Sequence, residues 1–249
     1  MAEADIVFVS HAHADHCGGL FAHARSRFAA QHAAKYLVPK SAMEQMLVAK
    51  KAFEEMDGHE LKMEFVEVEP GVRINIGKGL IVECVPTEHR VPSVGYLIYR
   101  SEKHVKPEYA SLSAEEKAEL GRAGVKLSEA TEVLEISYSG DTTAQGLDPR
   151  IFQAQLAIVE CTFITEREAH LAQQTQHVLL SELEQVVAGS NANPDCQLLL
   201  MHFSARYSAS QITRAVRAAQ LLPKRTACAL AAFSYDPGAT DDDSGITYA

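Results

Sequence analysis

The stretch DIVFVSHAHADH, residues 5–16, decides how the rest of the chain is read. Its first half is a short β-branched apolar run, the signature of a buried strand. Its second half sets His11, His13, Asp15 and His16 within six positions. Sheets flanked by helices present their sites where loops converge at strand ends. A strand running straight into four polar side chains therefore points to a site.

The same arrangement recurs downstream. His89 follows VECVPTE, Asp141 follows ISYSG and His202 follows QLLLM, so each closes an apolar run. Taken singly, a histidine at a strand end is more often hydrogen-bonded or exposed than a ligand. HxHxDH followed by a spaced His, Asp and His is different, because each part raises the odds of the others. On a turn His11 and His13 can point together while Asp15 and His16 face a neighbouring point. That suits two cations a few ångströms apart. Imidazole and carboxylate ligands without thiolates fit Zn²⁺, with Mn²⁺ the other choice, in open sites that do chemistry. Two such ions activate water and clamp the oxygens of a displacement at phosphorus, so the chemistry implied is hydrolysis. His23, His32, His59, His104 and His170 lack this context and read as surface or helix residues. Cys17, beside the cluster, reads as a small packed residue rather than a nucleophile or thiolate ligand.

Composition sets the bounds. At 249 residues with 47% hydrophobic and 22% charged residues, there is material for one large buried core. No apolar run approaches the roughly 20 residues that span a bilayer, and the acidic first residues do not resemble a signal peptide. Five scattered cysteines, never in CxxC pairs, read as reduced thiols in a cytoplasmic chain. An organelle stays open as an address. The net charge of −10 opposes nonspecific attraction to nucleic acid or anionic membrane, so an RNA substrate requires a local positive patch or metal ions.

Strands and helices alternate along the chain, predicting a layered α/β fold with mixed sheets. GGLFAHARSRFAAQ reads as an amphipathic helix. Ser41 and Glu44 form a possible capping box for a helix running to about Glu55 and closed near Gly58. MEFVEVEPGVRINIGKGLIVECVPT reads as a small antiparallel meander. The charged segment from about Glu102 to Glu132 reads as a helical excursion around SAEEKAELGRAG. Strands QLAIVE and CQLLLMHFS and helices near His177 and over SASQITRAVRAAQLL follow. Residues 1–236 are expected to form one hydrolase domain, with an acidic flexible tail over 237–249.

At this point the sequence resembles a known family. HAHADH is similar to the signature of the metallo-β-lactamase fold, and the remaining segments narrow the likeness to ribonuclease Z. EHRVPSVGYLIY resembles that family's third-histidine segment, SGDTT its bridging-aspartate segment and HFSARY its last-histidine segment. VECTF resembles its HEAT segment, with Val159 where His often stands. QHVLLSELEQV sits where the family has a histidine opening a helix, with Gln176 and Val178 in place of Gly and Ser/Thr. The likeness covers about residues 5–233 and is nearest to short plant and cyanobacterial forms.

The resemblance implies an αβ/βα sandwich and endonucleolytic removal of the 3′ trailer from precursor tRNA. It implies one metal on His11, His13 and His89, a second on Asp15, His16 and His202, and Asp141 bridging both. Asp15 would also orient the attacking hydroxide. His177, steadied by Glu160, would protonate the leaving 3′-oxygen, a task suited to an imidazole near neutral pH. Ser204, Arg206 and Tyr207 would meet phosphate, Arg206 in bidentate fashion. The resemblance further implies a homodimer. Relatives place further strands ahead of the motif whereas only Ala2–Ser10 precede it here, so an N-terminally truncated sandwich is expected. They also carry a basic Gly/Pro-rich arm that is lacking. Two other classes remain open: a different hydrolase of this fold acting on small phosphodiesters, sulfate esters or lactones, and a truncated non-catalytic homologue.

Overall fold

The computed structural model describes residues 4–222, 226–229 and 246–248. Strand β1 (Ile6–Phe8) leads into the one-turn helix α1 (Ala14–Cys17) and helix α2 (Gly19–Ser26). Strand β2 (Ala34–Pro39), helix α3 (Met43–Asp57) and strand β3 (Met63–Val68) complete the first unit. The three strands form a parallel sheet in the order β1-β2-β3.

The second sheet begins with β4 (Arg73–Gly77), β5 (Leu80–Pro86), β6 (Val94–Val105) and β7 (Ser128–Tyr138), all antiparallel. Helix α4 (Ala114–Arg122) lies at the far end of the long β6–β7 pair. Its start is fixed by a complete capping box between Ser113 and Glu116. Parallel strands β8 (Leu156–Glu160), β9 (Gln197–Met201) and β10 (Thr226–Ala229) extend the sheet from β7. Helices α5 (Ala169–Thr175) and α6 (Leu180–Gly189) connect β8 to β9, and α7 (Ala209–Ala218) follows β9. Strand β11 (Ile246–Tyr248) pairs antiparallel with β10.

Period-two alternation explains the layering. On β2, Ala34, Tyr36 and Val38 join Leu20, Phe21, Ala24 and Met46 under α2 and α3. Leu37 turns the other way and packs with Val82, Cys84, Val94 and Tyr96 of the second sheet. The outer face of that sheet carries Ala157, Val159, Leu198 and Leu200 against Leu183 and Val187 of α6 and Ile212 and Val216 of α7. The order helix, sheet, sheet, helix is the αβ/βα sandwich that the motifs lead one to expect. The two sheets are also tied by backbone groups. The Tyr96 hydroxyl donates to the Val9 carbonyl at 2.7 Å, and the Val94 N–H donates to the Ser10 carbonyl at 3.0 Å. Truncating wholly buried Leu37 to Ala at this seam would cost about 2–5 kcal/mol.

Four local expectations need correction. The first amphipathic helix stops at Ser26, and AKYLVP is a strand, because all its residues but exposed Lys35 are buried on both faces, as in a central parallel strand. The meander is split: Met63–Val68 pairs in parallel with β2, leaving only β4 and β5 as its antiparallel part. The Ser41–Glu44 capping box does not form. Ser41 already lies inside a 3₁₀ turn, Lys40–Ala42, and Ala42 takes the cap position with helix-like dihedrals and no side-chain cap. Gly58 does close α3, at φ 68°. The helix expected around SAEEKAELGRAG forms as α4, but the ends of the charged segment belong to strands β6 and β7 rather than to the excursion. Within the acidic tail, residues 246–248 form β11, and the others lie outside the described residues.

Candidate metal centre

The site assembles at the ends of both sheets. His11 and His13 follow β1, and Asp15 and His16 sit on α1. His89 lies between β5 and β6, Asp141 follows β7, Glu160 ends β8, His177 lies between α5 and α6, and His202 follows β9. These residues, scattered over 192 positions from His11 to His202, converge on one carboxylate. Asp141 Oδ2 is 3.2 Å from His16 Nε2, 3.5 Å from His202 Nε2 and 3.7 Å from His11 Nε2. It is 4.0 Å from His89 Nε2 and from His177 Nδ1.

Two donor sets flank Asp141. His11, His13, His89 and Asp141 form one, with His11 Nε2 and His13 Nδ1 2.9 Å apart. Asp15, His16 and His202 form the other, with separations of 3.2–3.7 Å. Nitrogen ligands at 2.0–2.1 Å around a tetrahedral ion stand about 3.3–3.4 Å from each other, so both sets could hold a divalent metal. Two buried atoms supply an independent test of that fit. Asp141 Oδ1 and His89 Nε2 have no hydrogen-bond partner among the described residues. Such groups are costly to bury unpaired, and a cation supplies the partner they lack.

The protonation states agree with ligation. Burial and the neighbouring His16 hold the His11 imidazole down at about 3, keeping it neutral. Burial likewise lowers His89, outweighing the raising effect of its hydrogen bond to Gln176. Burial would raise Asp141, but His16 and His202 outweigh it and hold the carboxylate at about 2. The second shell fixes the ring orientations. His89 Nδ1–H donates to the Gln176 carbonyl at 3.0 Å, and His11 Nδ1 meets Ser10 Oγ at 3.0 Å. His202 Nδ1–H donates to Thr162 Oγ1 at 2.9 Å, and that hydroxyl donates to Glu160 Oε2 at 2.9 Å.

Glu160 is the polar pivot of this shell. Its oxygens also accept from the backbone N–H groups of Thr142 and Thr162, each at 3.1 Å. His177 Nδ1–H donates to its Oε1 at 2.8 Å, which leaves His177 Nε2 for other work. Burial lowers the His177 basicity, but the Glu160 hydrogen bond and charge outweigh it, and the net shift is upward.

Backbone geometry at the rim is unusual in three places. Gly140, before Asp141, has φ 60°, and a Cβ there would meet the Val94 carbonyl oxygen at 2.6 Å. Gln176 and His202 adopt left-handed conformations at φ 54° and φ 64° despite their side chains. Gln176 does so as the cap of α5, where its carbonyl reaches His89.

Ser204, Arg206 and Tyr207 gather just beyond His202. Arg206 Nε donates to Ser204 Oγ at 3.1 Å and Nη1 contacts Glu168 at 3.2 Å, while the Tyr207 hydroxyl donates to Glu168. Cys17 Sγ donates to the Ala12 carbonyl at 3.6 Å, and burial keeps it a thiol. His23 is buried against Tyr36, whose hydroxyl it meets at 2.8 Å. Sequence reasoning missed Ser10, Thr142, Thr162 and the Gln176 carbonyl. The threonines stood in plain view beside Asp141 and Glu160, but nothing in a single sequence distinguishes a supporting hydroxyl from an incidental one.

The chain is similar to several known proteins. Residues 1–203 match the family model of the beta-lactamase superfamily domain. tRNase Z TRZ1 of Arabidopsis thaliana is 30% identical over 220 residues, covering 86% of this chain and 78% of the relative. The chloroplastic tRNase Z TRZ2 of the same plant is 30% identical over 215 residues, covering 84% of this chain. The matched part spans 60% of that relative's length. Among solved structures, the short form of human tRNase Z superposes with a TM-score of 0.54 at 16% identity, covering 83% of this chain and 74% of that one. The metallo-beta-lactamase fold protein YhfI of Bacillus subtilis gives 0.56 at 16% identity, covering 86% and 71%. These two share the fold.

Proposed function

The chain belongs to the tRNase Z family of the beta-lactamase superfamily, and from that premise we propose that it removes the 3′ trailer from precursor tRNA by hydrolysis. The observation carrying this reading is Asp141 Oδ2 set within 4.0 Å of five histidines, one of which, His177, is bonded to buried Glu160. His11, His13 and His89 would hold one divalent ion, and Asp15, His16 and His202 the other, with Asp141 shared. Zn²⁺ suits this imidazole-rich set best and Mn²⁺ is the alternative. When bound, such ions polarise the phosphate and lower the pKa of water.

The remaining steps belong to side chains. The Asp15 carboxylate, 69% exposed at the site entrance, orients the attacking water and accepts its hydrogen bond. His177 Nε2–H gives its proton to the leaving 3′-oxygen. Glu160 holds Nδ1–H, fixing the tautomer and stabilising the imidazolium from which that proton comes. Arg206, freed from Glu168 by a stronger anion, pairs with a phosphate beside the cut.

A second copy of the chain supports this activity in our reading. Helix α3 exposes Leu47, Val48, Phe53 and Met56 next to exposed Phe28, an apolar face suited to a homodimer. Among the described residues no helix is long and apolar enough to cross a membrane. We assign the protein to the cytoplasm, with an organelle as the alternative that a chloroplastic relative suggests.

The test is single-turnover cleavage of a 3′-extended pre-tRNA in Mn²⁺ or Zn²⁺, with metal content and solution mass measured on the same sample. Cutting just after the discriminator nucleotide supports the reading. The net charge of −10 favours one competitor, a hydrolase of small phosphodiesters. Hydrolysis of bis(p-nitrophenyl) phosphate with an untouched pre-tRNA would select it.

A further inference from the structure

A cleft of about 820 Å³ opens beside His177. Glu88, Thr143 and Gln145 line it together with His170 and Gln173 of α5 and Glu182 of α6. We propose that this cleft binds the nucleoside, base and ribose, whose 3′-oxygen leaves in the reaction. The inference rests on the nuclease reading above, and it adds a binding site for the last retained nucleotide.

Charge decides what kind of group enters. The lining includes two carboxylates, three primary amides and two imidazoles but no lysine or arginine. A phosphate would face two carboxylates and neither lysine nor arginine, so the cleft favours a neutral group over the trailer backbone. A neutral, donor-rich group suits it. Carboxylate oxygens accept from the amino groups of bases and from ribose hydroxyls, and amides offer both donor and acceptor. The volume lies in the ordinary range for small-molecule sites.

The acceptor wall is built rather than incidental. Thr143 Oγ1 donates to Glu88 Oε2 at 2.7 Å, and the Glu88 N–H donates to Thr142 Oγ1 at 3.0 Å. The Thr143 N–H donates to the Glu88 carbonyl at 2.9 Å, so two loops are stitched together there. Gly146 closes the wall, since a Cβ on it would lie 2.3 Å from Thr142 Oγ1 and 2.6 Å from Glu88 Cβ.

Position decides which nucleoside enters. His177 is at once a residue of the cleft lining and the imidazole assigned to the leaving oxygen. The group carried by that oxygen is the nucleoside on the 5′ side of the cut. The phosphate stays with the trailer, on the 3′ side of the cut.

The experiment uses three substrates with the full chain under single-turnover conditions. They are a 3′-extended pre-tRNA, the same RNA with an abasic residue at the last retained position, and bis(p-nitrophenyl) phosphate, which has no nucleoside. The native chain should cut the abasic RNA at least tenfold more slowly than its parent. Gln173→Trp, which fills the cleft, should lower the ratio of pre-tRNA to diester rates at least tenfold and add little to the abasic loss. Gln145→Ala should show the same pattern more mildly, guarding against misfolding of the bulky variant. Equal cutting of parent and abasic RNA, or losses that multiply, or a diester rate that falls in step with the RNA rate, would each overturn the proposal. A native chain that hydrolyses the diester but no pre-tRNA would instead sink the nuclease reading, and this inference with it.

Discussion

Glu160 Oε1 and His177 Nδ1 are 2.8 Å apart, and Glu160, only 1% exposed, meets all four of its protein donors through its two oxygens. A glutamine there would turn an amide donor towards donors. Glu160→Gln is therefore expected to cost about 1–3 kcal/mol of stability. It should also slow the chemical step, measured with metal in excess because Glu160 also steadies His202 through Thr162. His177→Ala should slow it by about 10²–10⁴-fold, the range for loss of a general acid. The double variant should be no slower than His177→Ala alone. Loss of metal from His177→Ala, measured by elemental analysis, would rule out the proton-donor role.

Asp141 is the residue shared by both donor sets, and its Oδ1 has no protein partner among the described residues. Asp141→Asn should reduce bound metal and abolish turnover together. His13→Ala should reduce metal at one site and abolish activity as well. A chelated native chain should be inactive and regain activity on adding Mn²⁺ or Zn²⁺. Full activity of either variant at normal metal content would contradict the ligand assignment.

Gly140 places Asp141 through a conformation that other residues resist. At φ 60°, with 2.6 Å between a built Cβ and the Val94 oxygen, Gly140→Ala should destabilise the chain by roughly 2 kcal/mol or more. It should lower metal affinity too, because the shift falls on the next residue. Unfolding midpoints and metal titration of the same variant check both effects.

Gln176 offers the opposite case. Its left-handed backbone at φ 54° and ψ 57° carries a strain of about 1–2 kcal/mol, partly offset in a glycine by greater freedom when unfolded. Gln176→Gly keeps the carbonyl that holds His89, so it should raise stability by up to about 1 kcal/mol. A lower melting temperature would mean that the Gln176 side chain contributes more than its backbone costs.

The imidazoles make the metal-free chain sensitive to acid. His11, held at about 3 in the folded state against an ordinary value of 6.5, refuses a proton that the unfolded chain accepts. Stability from this residue therefore falls as pH drops from about 7 towards 3. Raised His16 and His177 act in the reverse sense, stabilising at low pH and losing that effect as pH rises. The His11 contribution is isolated by comparison with His11→Asn, whose denaturation midpoint should fall less between pH 7 and pH 5. An identical slope in both chains would contradict a buried neutral His11.

Much of the site is legible in the sequence because its side chains come in a spacing with few other physical uses. His11, His13, Asp15 and His16 needed no fold to be noticed, and the later His89, Asp141 and His202 each closed an apolar run. Pairing was harder to read. Met63–Val68 alternates as a strand should, but alternation cannot tell that its partner is β2 across a helix rather than β4 across a turn. Ala34–Pro39 reads as no element of its own between two helices, since apolar residues on both faces erase the period of two. Tyr207 shows a further gap. Its place after HFSAR suggests phosphate, and only coordinates reveal that Glu168 already receives its hydroxyl.

The two donor sets also sit across the seam between sheets, with His11 and His13 following a strand of the small parallel sheet and His89, Asp141 and His202 following strands of the large one. An ion held there fastens one layer to the other. The unfolded chain has no such arrangement, so binding adds directly to folding free energy, by about 2.7 kcal/mol when free metal stands at 100 times its dissociation constant. Metal supply would then govern the lifetime of the protein as well as its speed. A chain starved of metal would lose that fastening between its layers, and would spend more of its time unfolded and open to proteases.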